Sequence, residues 1–167
     1  MSTGPSREEL LAEVNREAPR QAGAAVRLSI AIAHQVGLAL ADVQCMGLLA
    51  EGPSAPSDLA ERLGLTTGAI TKVLDRLERA GYVSRSADPS DRRRVVIAAE
   101  ARGLAELADY YGPIGERMAA YLSGCSAAEL ATILAFMRAG REAADQEIDR
   151  VRAQGVRHAT RRHREGQ

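Results

Sequence analysis

PSDLAERLGLTTGAITKVLDRLERAGYVSRSADPSDRRRVVIAA, residues 56–99, is the stretch that decides the fold. It predicts a helix over 57–63, a turn at Gly64, a second helix after Thr66 and two short strands. Thr66 is suited to cap the second helix, and Gly81 is suited to end it. The second helix has one narrow apolar stripe, which must face a core: Ile70, Val73, Leu74 and Leu77.

The opposite side of this second helix carries small, hydroxylated or charged residues: Thr67, Gly68, Thr71, Lys72, Asp75, Arg76 and Arg79. A helix that is small at its leading end and cationic one turn later fits a DNA major groove, and its free amides suit a phosphate. We expect Thr67, Thr71 and Lys72 to reach base edges, and we predict that Thr66, Gly68 and Asp75 belong to the same DNA-binding surface. Arg76 and Arg79 lie further back, where the DNA backbone is closer. A merely solvated face is the alternative interpretation of the helix taken alone.

The strands favour the nucleic-acid interpretation. Residues 82–85 and 95–97 are short β-forming runs, separated by the turn residues 87–91. Arg92, Arg93 and Arg94 follow Asp91 directly, so three like charges sit on one protruding hairpin. Their mutual repulsion is relieved by a polyanion, and arginine is the side chain that enters a narrow minor groove. The pattern predicts a mainly α fold, a winged helix-turn-helix with a two-stranded β wing.

The stretch resembles the MarR (multiple antibiotic resistance regulator) family of winged-helix transcription regulators. The resemblance lies in LAERLGLTTGAITKVLDRLERAGYV and in the wing signature, which falls on Asp91, Arg93, Ile97 and Gly103. It implies a homodimer that binds palindromic double-stranded DNA, with recognition helices in major grooves and wing arginines in minor grooves. It also implies a small-molecule effector, held where dimerisation helices meet the DNA-binding lobe. The chain departs from the family at Glu100, where a helix-capping Thr is usual.

Composition agrees with a helical protein that binds DNA locally. Aromatic residues make up 3% of the 167 residues, and the formal net charge is zero. Distribution matters more than the sum, because arginines cluster on the wing, the second helix and the C-terminal end. No apolar run of spanning length and no signal-peptide pattern is present, so we expect a cytoplasmic protein without a membrane segment. Ser57, at the start of the first helix, is a candidate phosphate contact.

The flanking segments predict dimerisation helices. Residues 6–18 form a short helix that Pro19 interrupts, and a long helix follows over 21–40 with apolar residues on two sides. After the wing, a long amphipathic helix carries Pro113, where we expect a kink, and Ser126 with Glu129 starts the last helix. The predicted organisation has four parts: N-terminal dimerisation helices over 1–41, the DNA-binding lobe over 42–99, C-terminal dimerisation helices over 100–154 and a basic, disordered tail over 155–167.

Three other function classes are weighed against this one. No nucleophile with a base, catalytic carboxylate pair or phosphate-cradling glycine loop is apparent, so we predict that the chain is not an enzyme and uses no cofactor or metal. A winged helix that only binds other proteins would carry a more apolar recognition face. Cys45 and Cys125 read as buried thiols, with a redox-sensing regulator as the alternative. Target genes, operator sequence, effector identity and the direction of regulation are not encoded in these patterns.

Overall fold

The computed structural model describes residues 4–88 and 91–165, with side chains through Gln154. The elements in these ranges are α1 Arg7–Gln35, α2 Leu40–Leu49, α3 Pro56–Leu63, α4 Thr67–Arg79, β1 Val83–Ala87, β2 Val95–Ala99, α5 Ala101–Ser123 and α6 Ala127–Glu165. This order confirms the mainly α winged helix-turn-helix. Pro89 and Ser90 of the predicted turn lie outside the described residues.

The helix-turn-helix forms as the local sequence predicts. Pro56 is the first residue of α3, where its missing N–H leaves no bond unmade. Gly64 takes the left-handed conformation, with φ of 68°, and turns the chain toward α4. Thr66 then caps α4, because its hydroxyl accepts a hydrogen bond from the Ala69 amide at 3.2 Å. The four residues of the predicted apolar stripe are all buried.

The wing is an antiparallel hairpin fixed at its base by the loop before α3. Val83 pairs with Ala99 and Ala87 with Val95. Ser54 adds a bridge to β2: its amide donates to the Ile97 carbonyl at 3.0 Å and its carbonyl accepts from the Ile97 amide at 2.9 Å. Ile97 is fully buried beneath this bridge. The base of the hairpin is therefore held from two directions, while its tip extends away.

The core is not confined to the predicted lobe over 42–99. Ile32 of α1 and Leu107 of α5 belong to the same buried cluster as Leu59, Leu74 and Ile97. Two of the buried side chains that close the core of this lobe therefore come from the flanking helices. By packing, the chain divides into one compact unit over Met1–Pro113 and a second over Ile114–Gln167.

Three features of the helices also differ from the predictions. Pro19 lies inside a continuous α1 rather than interrupting it, since a helix of 29 residues keeps its other hydrogen bonds. That helix ends at Gln35, because Gly37 takes a left-handed conformation with φ of 69°. The α6 backbone is helical through Glu165, where a disordered tail was predicted from Gly155. Arginine, which favours helix, is frequent there.

In the described ranges, no single helix is long and apolar enough to cross a membrane. By length and composition, α1 and α2 meet that criterion as a pair, with a bend of 103° between them.

Candidate nucleic-acid interface

The leading end of α4 presents an open, polar surface. Thr66, Thr67, Gly68, Thr71 and Lys72 are all exposed. The Thr71 hydroxyl donates to the Thr67 carbonyl at 2.8 Å, which leaves its oxygen lone pairs toward solvent. A Cβ added at Gly68 would meet nothing within 4 Å. Lys72 has no ion-pair partner in the part of the chain that the structure describes. Among the residues that the structure describes, these small and exposed groups leave this end of the helix open to a ligand.

The rear of α4 is occupied by protein contacts. Asp75 accepts a hydrogen bond from Nη2 of Arg85 at 2.6 Å, and Arg79 donates through Nε to the Asp75 carbonyl at 3.0 Å. Arg76 donates from Nε and Nη2 to the two carboxylate oxygens of Asp42, at 2.9 and 2.6 Å. This hydrogen bonding raises the pKa of Arg76. The sequence predicts Arg76 at the DNA backbone; here its Nε and Nη2 donate to Asp42, while the residue as a whole is exposed.

Arg85 on β1 contributes to the charge of the α4 surface, a role that the sequence pattern does not predict. Its guanidinium lies 2.6 Å from the Asp75 carboxylate and 3.4 Å from that of Glu78. Two acidic side chains on α4 are thus neutralised from the wing side, which lowers the repulsion that DNA phosphates would meet. The net charge of the α4 sequence does not reveal this neutralisation, because the compensating cation lies on the following strand.

The tip of the wing displays its cations freely. The Arg93 amide donates to the Asp91 carboxylate at 3.1 Å, and the Arg94 amide donates to the Asp91 carbonyl at 2.8 Å. Asp91 thereby holds the tight turn that carries the arginines. Arg92, Arg93 and Arg94 are exposed, and none of the three forms an ion pair within the described ranges 4–88 and 91–154. Their side chains remain available to an anionic partner.

Ser57 lies at the exposed start of α3. Its hydroxyl donates to the Asp58 carboxylate at 3.1 Å, so the neighbouring acid competes with any phosphate for that donor. The preceding residue, Ala55, caps the helix without a side-chain hydrogen bond. Pro56 has no amide N–H and the Asp58 amide donates to the Ala55 carbonyl at 3.1 Å, so this helix start offers a phosphate few free donors.

The two cysteines differ in their surroundings. Cys45 is fully buried, and burial, followed by the nearby Asp42 charge, raises the pKa of its thiol to about 11. A thiol with so high a pKa stays protonated and unreactive at neutral pH. Cys125 is half-buried, and its Sγ donates to the Tyr121 carbonyl at 3.8 Å. These contacts give no support to a thiolate sensor at Cys45.

This chain is similar to known transcriptional regulators. The model of the MarR family matches residues 47–95, which run from α2 to the start of β2. An uncharacterised HTH-type transcriptional regulator of Bacillus subtilis, YcgE, is 33% identical over 153 residues, covering 91% of this chain and 99% of the relative. The HTH-type transcriptional repressor Rv2887 of Mycobacterium tuberculosis is 35% identical over 85 residues, covering 50% of this chain and 61% of the repressor.

Solved structures share the fold. A mutant of Escherichia coli MarR, crystallised in complex with operator DNA, superposes with a TM-score of 0.50 at 21% sequence identity. The match covers 80% of this chain and 97% of that one. This likeness supports the same overall fold for the chain.

Proposed function

We propose, from the premise that this chain belongs to the MarR family of DNA-binding transcriptional regulators, that it acts as a homodimeric repressor on a pseudo-palindromic operator. The observation that carries the proposal is the open leading end of α4 beside a wing with three unpaired arginines. A helix of this kind reads base edges in a major groove, and wing arginines contact the adjacent minor groove or phosphates. Related repressors in the family, such as Rv2887, support the direction of regulation.

Apolar exposure supports the homodimer. Between Ile114 and Gln154 no residue is buried, although this segment carries nine exposed large apolar side chains. Helices of such composition gain little stability alone, and an exposed apolar surface of this extent is typical of an interface. A second copy related by a two-fold axis would cover these faces. It would also place two copies of α4 about 34–36 Å apart, which is one turn of DNA.

An apolar cavity supports an effector. It has a volume of about 210 Å³ and is lined from α2 and α5 by Met46, Gly47, Ala50, Leu104, Leu107, Ala108 and Tyr111. The Tyr111 hydroxyl at its edge is hydrogen bonded to that of Ser29 on α1 at 2.9 Å. Since this volume is below the usual range for drug-sized ligands, a small and largely apolar molecule is the chemistry we propose. Its binding would act on α2, which packs against α4.

Lys72→Ala tests the reading of bases by α4. Alanine favours helix, and Lys72 has no ion-pair partner in the described ranges, so stability should not fall. We expect a loss of about 1–3 kcal/mol of discrimination at specific base pairs, because a good base contact is worth that much. Binding to a library of single-base operator variants measures this. Arg79→Ala is the matched comparison, and we expect it to weaken all sequences alike. Uniform weakening by Lys72→Ala would reassign this side chain to a phosphate.

Arg93→Ala tests the wing. Its amide holds the turn and remains after the substitution, so only the exposed guanidinium is removed. We expect weaker binding to operator and to random duplex, with the dependence of log K on log salt shallower by about 1.8, because the proposed dimer loses a contact worth about 0.9 in each of its two subunits. Titrations at several salt concentrations measure the slope, and Arg141→Ala on α6 controls for the loss of one charge. If the slope and the affinity were both unchanged, the wing would not contact the DNA.

A further inference from the structure

Asp42 is a fully buried charged residue in the first turn of α2. Its Oδ2 accepts hydrogen bonds from the Ala39 amide and from Nε of Arg76, both at 2.9 Å. Its Oδ1 accepts from Nη2 of Arg76 at 2.6 Å. A buried carboxylate is strongly disfavoured unless it is paired and hydrogen bonded, so this arrangement has few alternatives. The pair joins α2 to α4 across 34 positions of the chain.

The geometry of the pair constrains α4 more sharply than its apolar stripe does. Apolar packing is non-directional and tolerates a small rotation of the helix about its axis. A bidentate guanidinium–carboxylate pair requires two parallel hydrogen bonds in one plane, which fixes orientation as well as distance. Lys72 lies one turn before Arg76, displaced by about 40° around the helix. The orientation of Arg76 therefore determines the direction in which Lys72 leaves the helix.

A direct contact of Arg76 with DNA is the competing role. The Arg76 side chain is 42% exposed, so part of it faces solvent, whereas the Asp42 side chain is 0% exposed and depends on the Arg76 Nε and Nη2 donors. Turning Arg76 toward a phosphate would leave Asp42 buried with a single backbone partner. We propose that Asp42 is a positioning residue for DNA recognition, which acts through Arg76 to hold α4 in the rotation that presents Lys72 and Thr71 to base edges. This inference rests on the proposed insertion of α4 into a major groove.

The test measures operator preference, the ratio of affinities for a duplex selected by the unchanged protein from a randomised library and for a random duplex. Asp42→Asn places an amide donor against Arg76 and removes the fork while keeping the side-chain size. We expect the preference to fall about tenfold, as for the loss of one base contact, while affinity for random duplex holds or rises. Glu51→Gln is the matched control. It removes the same charge from an exposed pair with Arg62 of α3, at 2.8 Å, and should change nothing.

A second variant protects the test against misfolding. Arg76→Gln alone strands the Asp42 carboxylate, whereas the pair Asp42→Asn with Arg76→Gln replaces the ions by two amides that can hydrogen bond to each other. Positioning predicts that the double variant regains part of the operator preference that each single variant loses. A direct DNA contact predicts that the double variant is no better than Arg76→Gln, which would overturn the inference. Circular dichroism of each variant reports the folded fraction.

The outcome also separates this inference from the proposed function. If Lys72→Ala alters base preference and Asp42→Asn does not, α4 reads bases but Asp42 does not position it, and only this inference fails. If neither variant alters base preference, the insertion of α4 into a major groove is itself rejected.

Discussion

Gly103→Ala is expected to lower the free energy of unfolding by about 1–3 kcal/mol, the usual range for forcing an extra carbon into a packed core. A Cβ at this position would lie 2.7 Å from Cδ1 of Tyr82, 3.0 Å from the Tyr82 Cα and 3.1 Å from Cε of Met46. Tyr82 cannot easily retreat, because its amide donates to the Leu77 carbonyl at 2.9 Å and its carbonyl accepts from the Glu100 amide at 2.8 Å. The substitution therefore pushes α5 away from the end of α4 and the start of β1.

Gly47→Ala is the matched control for this prediction. Gly47 lies within α2 in the same compact unit, and an added Cβ there would meet nothing within 4 Å. Relief of glycine's backbone entropy in a helix should raise stability by about 0.5–1 kcal/mol. Urea unfolding of the two variants and of the unchanged protein measures both changes in the free energy of unfolding, the expected decrease for Gly103→Ala and the expected increase for Gly47→Ala. Equal stability of the two variants would mean that the contact between Gly103 and Tyr82 is not tight in solution.

Gly103 also illustrates what the sequence alone can and cannot predict about the fold. It was placed in the wing signature by resemblance alone, with no physical reason attached to it. The reason is the close approach of α5 to Tyr82, which depends on residues about 20 positions apart meeting in three dimensions. The wing signature identifies Gly103 as a special position but does not reveal the three-dimensional contact that requires glycine there. The caps and stripe of α4 were predictable with their causes, because they depend on residues within a few positions of each other.

The features that could not be predicted from the sequence depend on contacts between residues far apart in the chain. Arg76 has the spacing of a DNA-facing side chain, and only the fold brings the Asp42 carboxylate to it. Arg85 likewise lies on a strand, yet its charge serves the acids of α4. Ile32 and Leu107 complete the core of the winged helix from outside its boundaries, which a segment-by-segment reading assigned to dimerisation. The wing arginines were predictable because exposure at a hairpin tip follows from local turn chemistry.

Leu134→Glu combined with Met137→Glu is expected to produce a monomer that binds the operator at least about a hundredfold more weakly. The two side chains are 47% and 61% exposed on the apolar stripe of α6, where the proposed partner subunit would cover them. Placing carboxylates there adds two unpaired charges per subunit to an apolar interface, and like charges would face each other across the two-fold axis. Loss of the second half-site removes the gain from linked binding, which commonly reaches 10²–10⁴ in affinity.

Ala139→Glu on the same helix is the control, since Ala139 is exposed about 200° around the helix from Met137 and lies off the stripe. We expect it to sediment and bind as the unchanged protein does. Equilibrium sedimentation at micromolar concentration gives the oligomeric state, and a parallel titration with a single half-site duplex separates dimer loss from damage to α4. The double variant should bind the half-site as the unchanged subunit does, because none of the α6 side chains that the structure describes, through Gln154, belongs to the buried cluster around α4. An unchanged protein that sediments as a monomer while binding the full palindrome tightly would reject the two-fold architecture.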